Sequence, residues 1–488
     1  MAMNNHSGRR GCWISTALAI CVIMMSLLAR AQSAPMSPVR PWYPKNEAEP
    51  AQDLGSYSKR DFSLDAKHLY TFAELVDLAE AHNPETRSAW ENAFEQAGVL
   101  GVARSELFPT LAAAALSQTG RDEPYSGTAF YRETIQSFDL TLDLNYTIFD
   151  FGARGGRIDA ARAGLLAANF AFNDVHRQLI YRVARAYYEL LNASGQEEAA
   201  QSSLANAQAV QQSAEALRNN GLATLPDVLE ARSATAQAQY DLQAAQGAED
   251  VAHGNLLTAL GASPTSTIQV QPIDQLATPD TIEGTVDQAI DRAVRQRPDL
   301  MGQLASIRAA NAEVKQTRAA YFPTLSLDVQ PDAQALYAME QTNPGRNTAL
   351  LDGSLTFNLS WTIFDGGARK NRRAQAAAEV QFAKAQADTT RDQVENGVWT
   401  AYSNLKTALR QRLAAQALLE AAMQSYDAAT QSYRFGVRNL LDVTEAQRTL
   451  ARARSADVLA RAQVFTALAK LAFEEGDSIQ PAPPRSQP

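Results

Sequence analysis

Between residues 137 and 149 apolar and polar positions alternate strictly. Phe138, Leu140, Leu142, Leu144, Tyr146 and Ile148 stand between Asp139, Thr141, Asp143, Asn145 and Thr147. Residues 354–364 do the same, with Leu355, Phe357, Leu359, Trp361 and Ile363 set between Ser354, Thr356, Asn358, Ser360 and Thr362. A period of two places every apolar side chain of a strand on one face, so both segments read as half-buried strands. Each has a weaker partner ahead of it, alanine-rich at 110–119 and short at 324–330. The polar stretches 121–136 and 331–348 are expected to be external loops. Elsewhere the spacing changes to three and four. Val394, Val398, Tyr402, Leu405, Leu409 and Leu413 form one such series, and Leu179, Val183, Tyr187 and Leu190 begin another. That spacing makes a seam suited to coiled-coil packing. No proline interrupts 153–220 or 367–435. Helices of that length reach roughly 100 Å at about 1.5 Å per residue.

The chain is written twice. YTIFDFGARGG (146–156) returns as WTIFDGGARKN (361–371), SELFPTL (105–111) as AAYFPTL (319–325), and NNGLATLPDVLEAR (219–232) as RFGVRNLLDVTEAQ (434–447). The offset is 214 residues before the strands and 215 after them. A repeat this long is an internal duplication rather than a solenoid unit. Each half predicts a short helix, a proline, a helix, two strands, a very long helix, a glycine-marked break and a shorter return helix. The halves are 71–261 and 285–476, joined by a proline-bearing linker at 262–284. Residues 32–70 are expected to form an extended N-terminal segment and 477–488 a disordered tail.

Residues 1–31 read as a secretory signal: Arg9 and Arg10 precede a short apolar run, 16–29, and Ala29-Arg30-Ala31 offers a cleavage site. Both cysteines, Cys12 and Cys21, fall inside it. The exported chain therefore has no disulfide, thiolate metal site or cysteine nucleophile. No lipidation is expected, because Ile20 rather than a small residue precedes Cys21. The net charge of −9 argues against nucleic acid. The five histidines, His6, His68, His82, His176 and His253, are scattered and no catalytic motif appears, so neither an enzyme nor a metal or cofactor site is expected.

An exported chain without long apolar helices can enter a membrane only as a closed barrel. Paired strands of about ten residues suit a tilted crossing of an outer membrane, the apolar face meeting lipid and the polar face water. Four strands cannot close; eight leave an interior filled by side chains, and twelve, from three chains, leave a lumen. Phe108, Tyr146, Phe149, Tyr321, Phe322, Trp361 and Phe364 gather where strands meet helices, as an interfacial girdle does. At the same place Asp150 and Asp365 can cap the helices that follow, and Gly152 and Gly367 permit a sharp turn.

The doubled YTIFDFGAR and WTIFDGGAR junction, the doubled FPTL, and the glycine elements at 221–228 and 436–443 resemble the TolC family of outer-membrane efflux and secretion channels. The resemblance covers about residues 71–476. It implies a mixed α/β membrane protein: a homotrimer with a 12-stranded β-barrel in outer-membrane lipid and a long α-helical coiled-coil barrel extending into the periplasm. It also implies an inner-membrane pump and a periplasmic adaptor as partners, and a passive conduit gated at its periplasmic end. By position, Asp442 and Glu445 match an acidic ring at the pore aperture, and Tyr433, Arg438 and Asp227 match the links that close it. Pro226 departs from the family's polar link partner, and Glu445 from a shorter acid. Gly221 and Gly436 mark helix-tip turns, with adaptor contact expected nearby. The alternative is a soluble periplasmic coiled-coil adaptor or structural protein.

Overall fold

The computed structural model describes residues 64–476, apart from 123–124, 127–128, 131–132, 274–275, 277–280, 283 and 341–342. The expected signal, most of the N-terminal segment and the tail lie outside the described residues. In order, the first half gives β1 (Leu69–Tyr70), α1 (Phe72–His82), α2 (Pro84–Ser105), β2 (Thr110–Asp122), β3 (Tyr125–Ser126), β4 (Ala129–Phe130), β5 (Glu133–Phe149), α3 (Ala153–Asn219) and α4 (Leu225–Ala259). After β6 (Gln269–Val270) the second half gives α5 (Val286–Gln296), α6 (Pro298–Ala319), β7 (Thr324–Glu340), β8 (Asn343–Ser360), α7 (Ala368–Arg434) and α8 (Leu440–Glu475).

The duplication is visible in the caps. Thr71 donates its N–H and hydroxyl to Glu74 at the start of α1, at 2.8 and 3.0 Å. Thr285 and Gln288 repeat the N–H bond at the start of α5. A proline then opens both α2 and α6, where its missing N–H costs nothing. The two long helices are 67 residues each.

The sheet is an antiparallel run in the order β2-β5-β7-β8. Its strands are 13, 17, 17 and 18 residues long, so residues 331–340 and 343–348 of the expected loop are instead strand. The first expected loop likewise gives up residues 121–122 to β2 and 133–136 to β5. The register explains the difference. Val329, Pro331, Ala333 and Ala335 pair with Leu355, Gly353, Leu351 and Ala349, which keeps period two through alanine, glycine and proline. The other end of β8 is shorter than the alternation implies: it stops at Ser360, and Trp361–Phe364 lie beyond it, ahead of the turn into α7.

The two faces of the sheet differ as the alternation requires. Phe138, Leu140, Leu142, Leu355, Phe357 and Leu359 are exposed. On the opposite face polar groups bond across strands: Thr141 to Asp332 at 2.9 Å and Gln334 to Asp139 at 2.6 Å, with Asn145 donating to Asp328.

Helix packing centres on the middle of the long helices. Leu179, Val183, Tyr187 and Leu190 are buried with α1, the end of α4 and Ile268 and Ile273 of the linker. The linker is therefore part of the packing, and β6 pairs in parallel with β1. Val394, Val398 and Leu405 are buried with α5 and α8. Leu413 departs from the expected seam and is 66% exposed, because α7 has outrun α5 at that height. No described helix is long and apolar enough to cross a membrane.

Candidate functional site

At each end of the helical section the doubled motifs build a doubled structure. After β5 the chain must turn sharply into α3. Phe151 (φ +52°) and Gly152 (φ +94°) take left-handed conformations there, as do Gly366 (φ +64°) and Gly367 (φ +89°) before α7. The Asp150 carboxylate accepts from the N–H of Gly152 at 3.2 Å and of Arg154 at 2.7 Å. Asp365 accepts from Gly367 and Arg369 at 3.1 and 2.9 Å. These aspartates satisfy N–H groups that the first helical turn leaves open.

The arginines of the motif complete the joint. Arg154 Nε lies 3.2 Å from Asp150, while its other nitrogens reach the carbonyls of Glu106 and Ile148. Arg369 repeats the pattern with Asp365 and the Ile363 carbonyl, its guanidinium over the Tyr321 ring at 5.4 Å. The Arg154 guanidinium thus ties the end of β5 to the start of α3, and that of Arg369 ties the segment after β8 to the start of α7. Burial alone would raise the Asp150 carboxyl, but the N–H groups of Arg154 and Gly152 and the nearby guanidinium outweigh it and hold the carboxyl below the ordinary range. Neither arginine was singled out from the sequence, although both stand in the repeated string D-x-G-A-R. Around the joint Phe151 stacks on Phe322 with centroids 4.8 Å apart, and the Trp361 indole donates to the Tyr321 carbonyl at 3.2 Å.

The other end of the long helices carries the expected gate residues. Gly221 (φ +76°) and Gly436 (φ +73°) stop α3 and α7. Leu222 N–H donates to the Leu217 carbonyl at 2.8 Å, and Val437 N–H to Ser432 at 2.9 Å. Each such bond spans six residues and closes over a left-handed glycine. The turns hold up apolar side chains: Leu222, Phe435 and Val437 are at least 75% exposed.

Below the turns all four long helices meet. Val210 and Ala214 of α3, Val228 and Ala231 of α4, Ala429 and Tyr433 of α7, and Leu440 and Val443 of α8 share one buried cluster. Burial first, and the Asp227 carboxylate second, push the Tyr433 phenol up, so these two expected residues are brought close within one chain. Asp227 itself accepts the N–H and hydroxyl of Thr224 at 2.8 and 2.7 Å, and Pro226 sits in the first turn of α4 beside it. Arg438 is exposed in the α7–α8 turn and its side chain touches no described acid, so the structure does not join it to Asp227 within the chain.

Asp442 and Glu445 lie on the first turns of α8, three residues apart and thus on one face. Asn439 caps that helix by accepting the Asp442 N–H at 3.0 Å. The acids differ in surroundings. Asp442 has no cation partner among the described residues, whereas Glu445 lies 3.8 Å from Arg448, which also reaches Glu230 of α4 at 3.3 Å. The Arg448–Glu230 contact, joining the two helix pairs, was not foreseen.

A further unforeseen group lies between the two ends. Arg177 of α3, 4% exposed, bonds Asp174 and the Phe473 carbonyl and lies 3.5 Å from Asp299 of α6. Arg297 bonds Asp299 at 2.6 Å and also Glu474, near the end of α8. Burial would raise the Asp299 carboxyl, but the hydrogen bond and charge of Arg297, with the charge of Arg177, hold it below the usual value. The only hint in the sequence is Arg297-Pro298-Asp299, where the first half has Asn83-Pro84-Glu85.

Comparison with known proteins gives this architecture a context. The family model described as outer membrane efflux protein matches residues 75–262 and 289–474. The chain is 30% identical over 409 residues to protein CyaE of Bordetella pertussis, covering 82% of each. It is 29% identical over 389 residues to the pyoverdine export outer membrane protein OpmQ of Pseudomonas aeruginosa, covering 76% of this chain and 78% of that one. A solved structure of the outer-membrane channel OprN is similar with a TM-score of 0.74 at 22% identity, over 87% of this chain and 99% of that one. CusC is similar with a TM-score of 0.71 at 21% identity, over 92% and 100%. At those identities the structures speak for the fold.

Proposed function

We propose, from the premise that this chain belongs to the outer membrane efflux protein family and is an outer-membrane channel, that it works as the gated exit duct of a tripartite efflux or type I secretion system. The expectation of a soluble periplasmic adaptor falls with that membership. The observation that carries the reading is the sheet. Its apolar face is exposed, its polar face is bonded across strands, and β2 and β8 each leave one long edge unpaired among the described residues. Open strand edges do not occur in hydrocarbon, so in a bilayer they must pair with other chains. Three chains give twelve strands and a lumen. The homotrimer follows from that count, with each polar face lining the pore.

The long helices then continue the duct into the periplasm. Cargo enters from an inner-membrane pump through a periplasmic adaptor, and the exposed Leu222, Phe435 and Val437 at the helix tips fit the adaptor contact. The conduit is passive and uses no cofactor. At its entrance Asp442 and Glu445 form stacked carboxylate rings, which favour cations. Because Arg448 shares the charge of Glu445, Asp442 contributes more to that preference. Single-channel conductance in planar bilayers tests this. Asp442→Ala should lower the cation-to-anion permeability ratio several-fold, and Glu445→Ala should lower it less. An unchanged ratio in the double variant would sink the ring assignment.

A further inference from the structure

Two ties join the helix pairs within the chain, and between them the pairs part. Gln196 of α3 donates to the Ser455 carbonyl of α8 at 2.8 Å, and the Ser455 hydroxyl donates back to Gln196 at 2.7 Å. Arg448 and Glu230 make the second tie, nearer the helix tips. α3 packs along both α4 and α8, which touch each other little. The result is a cavity of about 630 Å³ lined by α3, α4 and α8. That volume lies inside the roughly 300–1,000 Å³ of clefts that hold small molecules. Alanines of all three helices line much of it.

Three polar groups of this lining are left over by the fold. Gln447 of α8 is 7% exposed, and its carboxamide oxygen is buried with no hydrogen-bond partner among the described residues. The nearby hydroxyls are spent elsewhere: Ser203 donates to the Ala199 carbonyl at 2.8 Å and Thr444 to that of Leu441 at 3.0 Å. A buried acceptor left open is costly, so the site calls for an N–H or O–H donor. Asp241 of α4 is exposed and accepts from Gln237 of its own helix at 2.9 Å, with no cation partner among the described residues. Arg452, on the α8 wall, is exposed and has no ion-pair partner among them either. The duplication does not copy these groups. At the offset of 215, Asp241, Gln447 and Arg452 correspond to Ala456, Arg232 and Gln237, so the shared scaffold does not require them.

We infer that the cavity binds a small peptide-like zwitterion. A lone anion or a lone cation suits one wall and meets like charge on the other. A zwitterion satisfies both. Its carboxylate pairs with Arg452, its ammonium pairs with Asp241, and the amide N–H between them supplies the donor that the Gln447 oxygen lacks. Bonds between charged partners are the stronger kind, and a guanidinium can hold a carboxylate through two parallel N–H groups. The alanines leave room for the ligand's apolar side chains.

Isothermal titration calorimetry of the full chain in mild detergent tests the site, with the heat in protein-free micelles subtracted. The probes are leucyl-leucine, N-acetyl-leucyl-leucine and leucyl-leucine amide. The zwitterion should bind, and each capped form should bind at least about tenfold more weakly, the loss of one charged pair. Asp241→Asn should weaken leucyl-leucine by a similar factor and leave the N-acetylated probe unchanged. Arg452→Gln should likewise weaken leucyl-leucine and leave the amide unchanged. Both positions are exposed, so neither change disturbs the core. Gln447→Leu keeps the bulk, removes the acceptor and should weaken all three probes. An affinity for leucyl-leucine weaker than roughly 10 mM, or three probes bound alike, overturns the site. So do Asp241→Asn and Arg452→Gln chains that bind every probe as the wild type does.

Discussion

At the scale of single residues, the junction between strand and helix shows how little chemistry a sharp turn needs when it is placed well. Asp150 is 8% exposed and takes two N–H groups and one guanidinium. Asp150→Ala strands those donors in a buried place and should lower stability by ~2–3 kcal/mol, from the usual cost of losing a cap together with an unsatisfied charged donor. Thermal melting of the detergent-solubilised protein checks this; a loss below about 0.5 kcal/mol, the level of an ordinary surface change, would contradict it. Asp150 and Gly152 were legible because capping and positive φ each favour few residue types. Arg154 was not, since an arginine one turn into a helix normally lies in solvent. Its role depends on the Glu106 and Ile148 carbonyls, which only the fold brings within reach. The two halves also solve the turn differently. Phe151 accepts a left-handed φ where the second half has Gly366, a cost of roughly 1–2 kcal/mol that its stacking on Phe322 helps offset.

At the scale of elements, periodicity located every main helix and all four long strands, but it set the strand ends wrongly. Residues 331–348 look polar because Asp332 and Gln334 interrupt an alanine-rich run that ends in the polar stretch 340–348. Paired with β8 and β5, Asp332 and Gln334 fall on the polar face, while Tyr337 and Met339 fall on the exposed apolar one. Strand length is a property of the pair, which a single segment does not report. The hairpin tips raise a second element-scale question. Arg438 stands free on the α7–α8 turn, while Asp227 presents a carboxylate near Tyr433 on the α4 side. If Arg438 reaches Asp227 of a neighbouring chain, the link holds the helix pairs inward. Arg438→Ala and Asp227→Ala should then each make cells take up a large antibiotic several-fold faster at unchanged channel abundance. Uptake equal to wild type would remove the link from the gate. Asp227→Asn is a useful companion, because it keeps an acceptor for the Thr224 N–H and removes only the charge.

At the scale of the whole molecule, the buried group around Arg177 and Arg297 joins the two halves. It connects α3 of the first half to α6 and α8 of the second. Its pH behaviour follows from Asp299, whose folded carboxyl is depressed by the two arginines. A depressed carboxyl contributes stability that is fully present above its unfolded value, about 3.9, and is lost as the pH falls through the folded one. The melting-temperature gap between wild type and Asp299→Asn should therefore be level from pH 7 to about 5 and close below about 4. A gap that widened in acid would refute the assignment. Removing one partner of such a buried pair typically costs about 3–5 kcal/mol, so the neutral-pH gap should be large.

The sequence by itself determined the duplication, the order of helices and strands, the amphipathic sheet and the turns at Gly221 and Gly436. Each of these is written locally, in a period, a cap or a glycine that few other residues can replace. Tertiary structure alone decided the extent of β7 and β8, the hook of Arg154 and Arg369, the pairing of β6 with β1 and the buried charges at Arg177 and Arg297. Those features depend on which segments come to pack together, and a charged side chain carries no local mark of whether it will lie in water or between helices.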